Sequence, residues 1–472
     1  MIFSTIEFFI FFAIVMFLLF KIHSQQKRQI MLLIASYFFY AYFDILYMIL
    51  MVAETYFIYK IALPIERFRL SKPKTSKTFL IIGIFTVLAV LFFFKYVNFA
   101  IGSVNYLLGS NTVKTLKILL PIGISFYTFQ SISYLVDIYR GRDAASHSFL
   151  KVSLFITFFP QLVAGPILRS TEFLPQLETN PPLEAKNISA GIQIFIFGLI
   201  KKLVIADQLS VFVDQVFNMP DVFDSPTVIL AVFSYILQSY CDFSAYSDLA
   251  IGVATCMGYK LVKNFNMPYL STSPTEFWKR WNMSLSAWLK DYLYISLGGN
   301  RKGRIRTEIN LFLTMLLGGL WHGASWNFVI WGAFHGLALV VHKYYGKIMK
   351  HPKNYVSPSI FARVISILCT FIYLNIAGII IRSANLDTMI TVFKKIFFIT
   401  PVGLSHYYIY SFIFGIILLA IHIFIAVKHN SNGFYVVMDL KKFYAKVIIA
   451  LAIWVLLCFS YTGASPFIYF QF

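Results

Sequence analysis

The chain has 472 residues, of which 59% are hydrophobic and only 13% are charged. Soluble chains carry roughly twice that fraction of charged residues, so a soluble enzyme and a disordered chain are excluded, and a polytopic membrane protein is predicted. The net charge of +20 lies in short basic segments between apolar runs, a pattern typical of cytoplasmic loops in membrane proteins. We therefore expect membrane lipids, and not nucleic acid, beside these charges.

Twelve apolar runs predict the spans of an all-α, polytopic fold. A span needs about 20 apolar residues, and somewhat fewer when flanking side chains reach the interface. Because several runs are short or interrupted, we expect about ten to twelve transmembrane helices. In chain order the runs are Ile6–Phe20, Ile30–Phe43, Leu46–Tyr59, Phe79–Phe94, Ile118–Val136, Ile188–Ile205, Val228–Met257, Leu311–Leu320, Phe328–Val341, Val364–Ile381, Tyr408–Ala426 and Val447–Tyr461.

The charges between these runs predict the orientation of the chain. Lys21–Arg28, Lys60–Lys77 and Arg140–Lys151 are basic. Asp207–Asp224 contains four aspartates and no basic residue, whereas Tyr259–Arg306 contains nine basic and two acidic residues, a net charge of +7. Because Lys and Arg accumulate in cytoplasmic loops, the N-terminus and Asp207–Asp224 are predicted outside and the basic segments inside.

The segment Phe158–Arg169 is apolar but is interrupted by Pro160, Gly165 and Pro166. Proline removes a helix donor, and an unsatisfied backbone group is costly in lipid. This segment is therefore predicted to form a re-entrant or protein-buried hairpin and not a straight helix.

Six of the seven tryptophans lie between Trp278 and Trp331. At the start of this region, over Phe277–Ile295, apolar side chains recur at steps of three and four, which indicates one face of a helix. Lys279 and Arg280 lie off that face. An aromatic face opposite a basic one is typical of a helix lying in the headgroup plane, although a simple interfacial anchor explains the periodicity equally well. The face consists of Trp278, Trp281, Leu285, Trp288, Tyr292 and Ile295.

Leu316–Gly336 places His322 between two apolar runs, with three glycines nearby. An ionisable residue at membrane depth is a candidate functional residue, and the alternative is a neutral, buried histidine bonded to a carbonyl. His335 and His342 are seven residues apart and share a predicted helix face, but no third ligand has suitable spacing, so core packing is favoured and no metal site is expected. The chain lacks the GxSxG, GxxxxGK[ST], GxGxxG and HExxH motifs, so the corresponding hydrolase, nucleotide-binding and zinc protease functions are not supported.

The motifs FWKRWNMSLSAWLKDYLYISLGGNRKG (Phe277–Gly303) and GGLWHGASWNFVIWGAFHG (Gly318–Gly336) resemble those of the membrane-bound O-acyltransferases. They are most similar to the bacterial branch that contains the membrane subunits of alginate and peptidoglycan O-acetyltransferases. The resemblance extends over nearly the whole chain, including LPIGISFYTFQSISYLVDIYR (Leu120–Arg140), YCDFSAYSDLAIG (Tyr240–Gly252) and the terminal FIYFQF. LGGNRKG favours the acetyltransferases over the related teichoic-acid D-alanyl transfer proteins.

The resemblance implies a fold, a membrane and a path for the substrates. The family's helices surround a central tunnel, with re-entrant and interfacial helices, and the acyl donor enters from the cytoplasm while the acceptor enters from outside. It implies a single membrane domain over residues 1–472, with N-terminal spans in 1–140, a catalytic core in 141–360 and C-terminal spans in 361–472. It also implies that the protein is located in the bacterial cytoplasmic membrane.

The resemblance also implies site residues. The family's near-invariant histidine corresponds to His322, the expected general base, and the second polar position falls at Asn282. The closest relatives usually carry histidine there, and asparagine can orient or polarise a group but cannot titrate. The basic surroundings are expected to bind the acyl donor, although the bias of cytoplasmic loops toward basic residues explains the same charges. The candidate donor-binding residues are Lys279, Arg280, Trp281, Arg301 and Lys302.

The implied activity is transfer of an acetyl group from cytoplasmic acetyl-CoA across the membrane for O-acetylation of an envelope or exported polysaccharide. Acetyl-CoA is then a substrate, no bound cofactor is expected, and the partner is a periplasmic or surface SGNH-type transferase that passes the acetyl group to the polysaccharide. One alternative is transfer of D-alanine from a carrier protein to teichoic acid. Another is a saccharide or lipid transporter, which the lack of an internal repeat disfavours. A purely structural scaffold ranks last.

Overall fold

The computed structural model describes residues 1–109, 112–350, 355, 357–428, 435, 437–461, 463 and 467. These residues form helices and connecting segments, with one isolated parallel bridge between Phe223 and Leu404 and no longer strand among them. The predicted all-α fold class is confirmed. Of the terminal FIYFQF motif, residues 468–472 lie outside the described part of the chain.

Contacts divide the chain into two compact units. The first contains residues 1–195 and 249–262, and the second contains residues 196–248 and 263–472. The predicted single-domain organisation stays a prediction. The helices that begin in the first unit are α1 (Ile6–Lys21), α2 (Gln25–Ala41), α3 (Ile45–Phe68), α4 (Pro73–Lys95), α5 (Val97–Leu108), α6 (Ile124–Arg140), α7 (Phe149–Thr157), α8 (Phe159–Leu162), α9 (Ser170–Thr179) and α10 (Ala185–Leu199).

The remaining helices begin in the second unit. Two π-helical segments interrupt them, Ile200–Ala206 after α10 and Leu289–Tyr294 after α14, and short 3₁₀ turns occur at Pro220–Val222 and Pro268–Leu270. The α-helices are α11 (Asp207–Asn218), α12 (Ser225–Cys256), α13 (Pro274–Arg280), α14 (Met283–Trp288), α15 (Arg304–His322), α16 (Trp326–Ile348), α17 (Ile360–Arg382), α18 (Leu386–Phe397), α19 (Tyr410–Lys428) and α20 (Phe443–Phe459).

Each of the twelve apolar runs overlaps a helix, as the hydropathy predicts, although residues 118–123 lie before the start of α6. Five helices in the described residues are long and apolar enough to cross a membrane by length and composition: Ile45–Phe68, Pro73–Lys95, Ala185–Asn218, Ser225–Cys256 and Ile360–Arg382. The chain is therefore a multi-pass membrane protein. The larger count of ten to twelve spans and the outward N-terminus stay predictions.

In the first unit the Phe158–Arg169 segment is interrupted, as the two prolines predict. Helix α7 ends at Thr157, α8 covers only Phe159–Leu162, and the chain then continues without helix to Arg169. The freed backbone is satisfied inside the protein, since the amide of Phe159 donates to Oγ of Ser36 at 3.1 Å. The prediction of a broken, protein-buried segment is confirmed, and its re-entrant path through a membrane stays a prediction.

Asp207–Asp224, expected to be a connection between spans, is largely helical. Helix α11 continues from the π-helical segment to Asn218 and buries one side, formed by Leu209, Phe212, Val213, Val216 and Phe217. Its first aspartate tolerates burial because Nζ of Lys202 lies 2.8 Å from Asp207 and 2.7 Å from Asp242. Its external location stays a prediction, and the charge pattern did not indicate the helix, because the aspartates obscure an apolar face with helical spacing.

Helices α15 and α16 form an antiparallel hairpin whose helices meet at two glycines. A Cβ atom on Gly332 would lie 2.6 Å from the carbonyl oxygen of Met315 and 3.0 Å from Cα of Gly319. A Cβ atom on Gly319 would lie 2.4 Å from the carbonyl oxygen of Phe328. These separations are too short for any side chain, so the backbones approach each other as small residues allow in membrane helices.

We expect Gly332→Ala to destabilise the protein by about 1–3 kcal/mol, because the added methyl group must push the two backbones apart. The matched control is Gly346→Ala on the same helix, where a Cβ atom meets no heavy atom of the described residues within 4 Å. The control should unfold at the wild-type temperature or slightly above it, since alanine favours helix over glycine. Thermal unfolding in detergent, followed by tryptophan fluorescence, measures both; equal midpoints for the two variants would contradict the close contact.

Candidate active site

The α15–α16 hairpin places His322 at the last helical position of α15. Its side chain is buried, with 6% of the residue exposed. The imidazole contacts two indoles edge to face, with ring centroids 4.9 Å from Trp321 and 5.0 Å from Trp331. Aromatic packing on two sides fixes the orientation of the ring, which a group that exchanges a proton with a substrate requires.

A cavity in the second unit opens onto His322. It encloses about 620 Å³ of space, part of which is open solvent. The lining is mostly apolar and aromatic, with two imidazoles and a few hydroxyl groups. The lining residues are Tyr235, Ile236, Ser239, Tyr269, Phe277, Trp281, His322, Trp331, His335, Leu374, Ala377, Gly378 and Ile381.

The second imidazole of the cavity belongs to His335 on α16. Its Nδ1 atom accepts a hydrogen bond from the indole Nε1 of Trp278 at 3.3 Å and is also in hydrogen-bond contact with the hydroxyl of Tyr373. The ring packs against Trp331 with centroids 4.4 Å apart. His322 and His335 therefore contact the same indole and face the same cavity. Sequence reasoning assigned His335 to core packing and missed this placement.

The helix predicted over Phe277–Ile295 is broken at Asn282, so the prediction of one continuous helix was wrong. Asn282 adopts a left-handed conformation with φ of 43° and separates α13 from α14. The break is held from a distant part of the chain: the amide of Met283 donates to the carbonyl of Asn264 at 2.9 Å, and the amide of Ser284 donates to its side-chain oxygen at 3.2 Å. Local periodicity contains no information about such partners.

Asn282 itself is buried, with 1% of the residue exposed. Its Nδ2 group has no hydrogen-bond partner among the described residues. A buried amide donor without a partner costs free energy, which a water or a ligand at this position would reduce by accepting its hydrogen bond. Asn282 follows Trp281, which lines the cavity, but Asn282 is not among the lining residues.

The other predicted donor-binding residues lie apart from the cavity lining. Lys279, Arg301 and Lys302 are exposed. Arg280 is half-buried and pairs with Glu276, its Nη2 atom lying 2.8 Å from the carboxylate. Trp281 alone joins His322 at the cavity, stacked on Phe277 with centroids 5.4 Å apart. The donor-binding role of these residues stays a prediction.

Glu276 holds the start of α13 in place and was missed by the sequence reasoning. Burial would raise its pKa, but hydrogen bonds from Thr272 and the charge of Arg280 outweigh it and keep the pKa below its ordinary value. The carboxylate is thus ionised and binds one guanidinium of the basic segment. A signal existed in the sequence, since Glu276 and Arg280 are four residues apart, the spacing of a helical ion pair.

The histidines do not assemble a metal site in the described part of the chain. His342 contacts the hydroxyl of Thr275 through Nδ1 at 2.8 Å, away from the partners of His335. No three His, Cys, Asp or Glu side chains of the described residues lie close enough to hold a metal ion. The polar groups of the cavity lining are therefore two imidazoles and a few hydroxyl groups, and the buried amide of Asn282 is not part of that lining.

Comparison with known proteins decides the family. Residues 142–383, which include every residue that lines the cavity, match the membrane-bound O-acyltransferase (MBOAT) family model. The chain is also 40% identical over 403 residues to a probable alginate O-acetylase of Pseudomonas aeruginosa, covering 84% of this chain and 75% of that relative. The chain belongs to the membrane-bound O-acyltransferase family. The resemblance inferred from the sequence is confirmed, and the protein is an O-acyltransferase.

Two further relatives show how widely the membrane-bound O-acyltransferase similarity extends. A peptidoglycan O-acetyltransferase of Helicobacter pylori is 38% identical over 405 residues, covering 80% of this chain and 75% of the relative. A teichoic acid D-alanyltransferase of Bacillus subtilis is 27% identical over 261 residues, covering 53% of this chain and 65% of the relative. Membership of this family favours an enzyme over the transporter and the scaffold.

Proposed function

We propose that this acyltransferase moves an acetyl group from cytoplasmic acetyl-CoA toward hydroxyl groups of an envelope or exported polysaccharide. The observation that carries the proposal is a buried histidine, His322, on a cavity within the family region of a chain 40% identical to a probable alginate O-acetylase. A secreted or surface SGNH-type transferase would receive the acetyl group and pass it to the polysaccharide. The specific polysaccharide is then chosen by that partner.

The cavity suits acyl transfer between a thioester and a hydroxyl. As the hydroxyl oxygen attacks the thioester carbonyl, His322 accepts its proton, and the tetrahedral intermediate carries a negative oxygen. Collapse of the intermediate breaks the carbon–sulfur bond, and the protonated imidazole returns the proton to the leaving thiolate. Atoms and charges balance without any further reagent.

Asn282 completes this site in the proposal. Its buried Nδ2 group, which has no hydrogen-bond partner among the described residues, is a donor that can orient the acyl group or polarise its carbonyl. The +7 segment Tyr259–Arg306, predicted cytoplasmic, supplies the positive charge that the phosphates of acetyl-CoA need. Lys279, Arg280, Arg301 and Lys302 are its proposed contacts, and Trp281 borders the acyl group.

The identity of the acyl donor distinguishes the proposed acetyl transfer from D-alanyl transfer. We expect the purified full-length protein in lipid nanodiscs to release thiol from acetyl-CoA in the presence of O-deacetylated polysaccharide and an SGNH-type transferase, and not from a D-alanyl carrier protein. Free thiol is measured colorimetrically, and transfer is measured with radiolabelled acyl groups. Turnover of the D-alanyl carrier alone would replace the proposal by D-alanyl transfer, the activity named for the Bacillus subtilis relative. Turnover of neither donor would overturn both.

A further inference from the structure

The cavity contains a second histidine that has no role in the mechanism proposed above. His335 is 1% exposed and lines the cavity together with His322. Both imidazoles contact Trp331, at centroid distances of 4.4 Å and 5.0 Å. A titratable side chain that is buried at a reaction cavity is a candidate functional residue, and packing alone does not explain its position.

The protonation of His335 follows from its neighbours. The indole N–H of Trp278 can only donate, so Nδ1 of His335, 3.3 Å away, must accept. The hydroxyl of Tyr373 also contacts Nδ1. A neutral imidazole with an accepting Nδ1 carries its proton on Nε2, and no described residue forms a hydrogen bond with that atom. The Nε2–H group is therefore available to donate a hydrogen bond to a ligand in the cavity.

We propose that Nε2–H of His335 donates to the acyl carbonyl oxygen during transfer and stabilises the negative oxygen of the tetrahedral intermediate. The assignment rests on the proposed function. His322 exchanges the proton between the acceptor hydroxyl and the leaving thiol, while His335 keeps its own proton throughout. Trp278 and Tyr373 are positioning residues, because they hold His335 in the donating tautomer. A donor fixed in advance at the developing charge is the arrangement that lowers the barrier most effectively.

The test compares kcat and KM for acetyl-CoA in full-length variants. We expect His335→Leu to lower kcat by about 10²–10³-fold with little change in KM, because the bond is strong only in the transition state. His335→Gln, whose amide can donate from a similar position, should recover at least about tenfold of that loss. The matched control is His342→Leu on the same helix, which lies outside the cavity lining and should keep the wild-type kcat.

A double-mutant cycle tests the positioning role. Trp278→Phe should lower kcat in the wild-type background and have no further effect in H335L, because the indole acts only through His335. If H335L does not accumulate in folded form, the double variant Trp278→Phe with Tyr373→Phe carries the test, since it removes both groups that fix the tautomer, and we expect its kcat to fall at least about fivefold.

The outcomes separate this proposal from the function on which it rests. Wild-type kcat in H335L, or in the folded W278F/Y373F variant, together with an inactive His322→Ala, would overturn the role of His335 and leave the acyltransferase site intact. A wild-type protein that does not turn over acetyl-CoA, or an H322A variant that does, would overturn the proposed function itself. Lower kcat in H335L with partial recovery in H335Q supports the assignment.

Discussion

His322→Ala is expected to lower the turnover of acetyl-CoA by about 10³-fold or more, because in the proposed mechanism its imidazole exchanges the proton between hydroxyl and thiol. His322→Gln should lose as much, since the amide keeps hydrogen bonding but cannot take up a proton. KM for acetyl-CoA should change little in either variant. Initial rates of thiol release over a range of acetyl-CoA concentrations measure both quantities.

The control for this prediction is a histidine of the same hairpin outside the cavity. His342→Ala removes a partly buried imidazole whose Nδ1 atom contacts Thr275, and it should keep the wild-type rate. Both variants should elute as monodisperse protein, because the His322 side chain borders empty space on one side. Activity in H322Q near the wild-type level would mean that the base is another group.

Lys202→Met is expected to destabilise the protein by about 3–5 kcal/mol, a large fraction of the stability of a folded domain. The ammonium is 7% exposed and lies within 2.8 Å of two carboxylates, those of Asp207 and Asp242, which are each 3% exposed. Removing it leaves two buried negative charges without this cation. Thermal unfolding of the purified variant in detergent should show the loss directly.

Two further variants isolate the charge effect. Lys186→Met removes an ion pair with Glu184 whose side chains are 78% and 40% exposed, and pairs of this kind contribute about 0–1 kcal/mol. The triple variant with Asp207→Asn and Asp242→Asn removes all three charges and should recover part of the loss in K202M. A K202M protein that unfolds at the temperature of the K186M control would show that the buried cluster does not stabilise the fold.

Hydropathy predicted the helices well because span formation depends on the local run of apolar residues. It did not indicate the helix in Asp207–Asp224, where three aspartates have partners outside the segment. Lys202 neutralises Asp207, Arg382 pairs with Asp214 and Ser405 donates to Asp224. A sequence read one segment at a time contains the charges but not the pairs.

The site was predicted in part. His322 was selected as a candidate because an ionisable residue at membrane depth is unusual and the motif around it resembles the family, and its catalytic role stays a prediction. His335 lines the same cavity, but its orientation depends on Trp278 and Tyr373, which are 57 and 38 residues away along the chain. The break at Asn282 depends likewise on Asn264, a residue of a loop without regular structure. Contacts between residues so far apart in sequence depend on tertiary packing, and the local periodicity of the sequence does not predict them.

The backbone at Asn282 also limits which side chains evolution can place there. With φ at 43° the residue occupies a region in which β-branched and bulky side chains are strained, while asparagine, aspartate and histidine are several-fold enriched. Histidine, the residue that the family resemblance leads us to expect here, and asparagine, found in this chain, both belong to that small set. Replacing one by the other changes whether the side chain can take up a proton, but it does not require a different backbone conformation. The backbone conformation at this position therefore restricts which side chains can occur there.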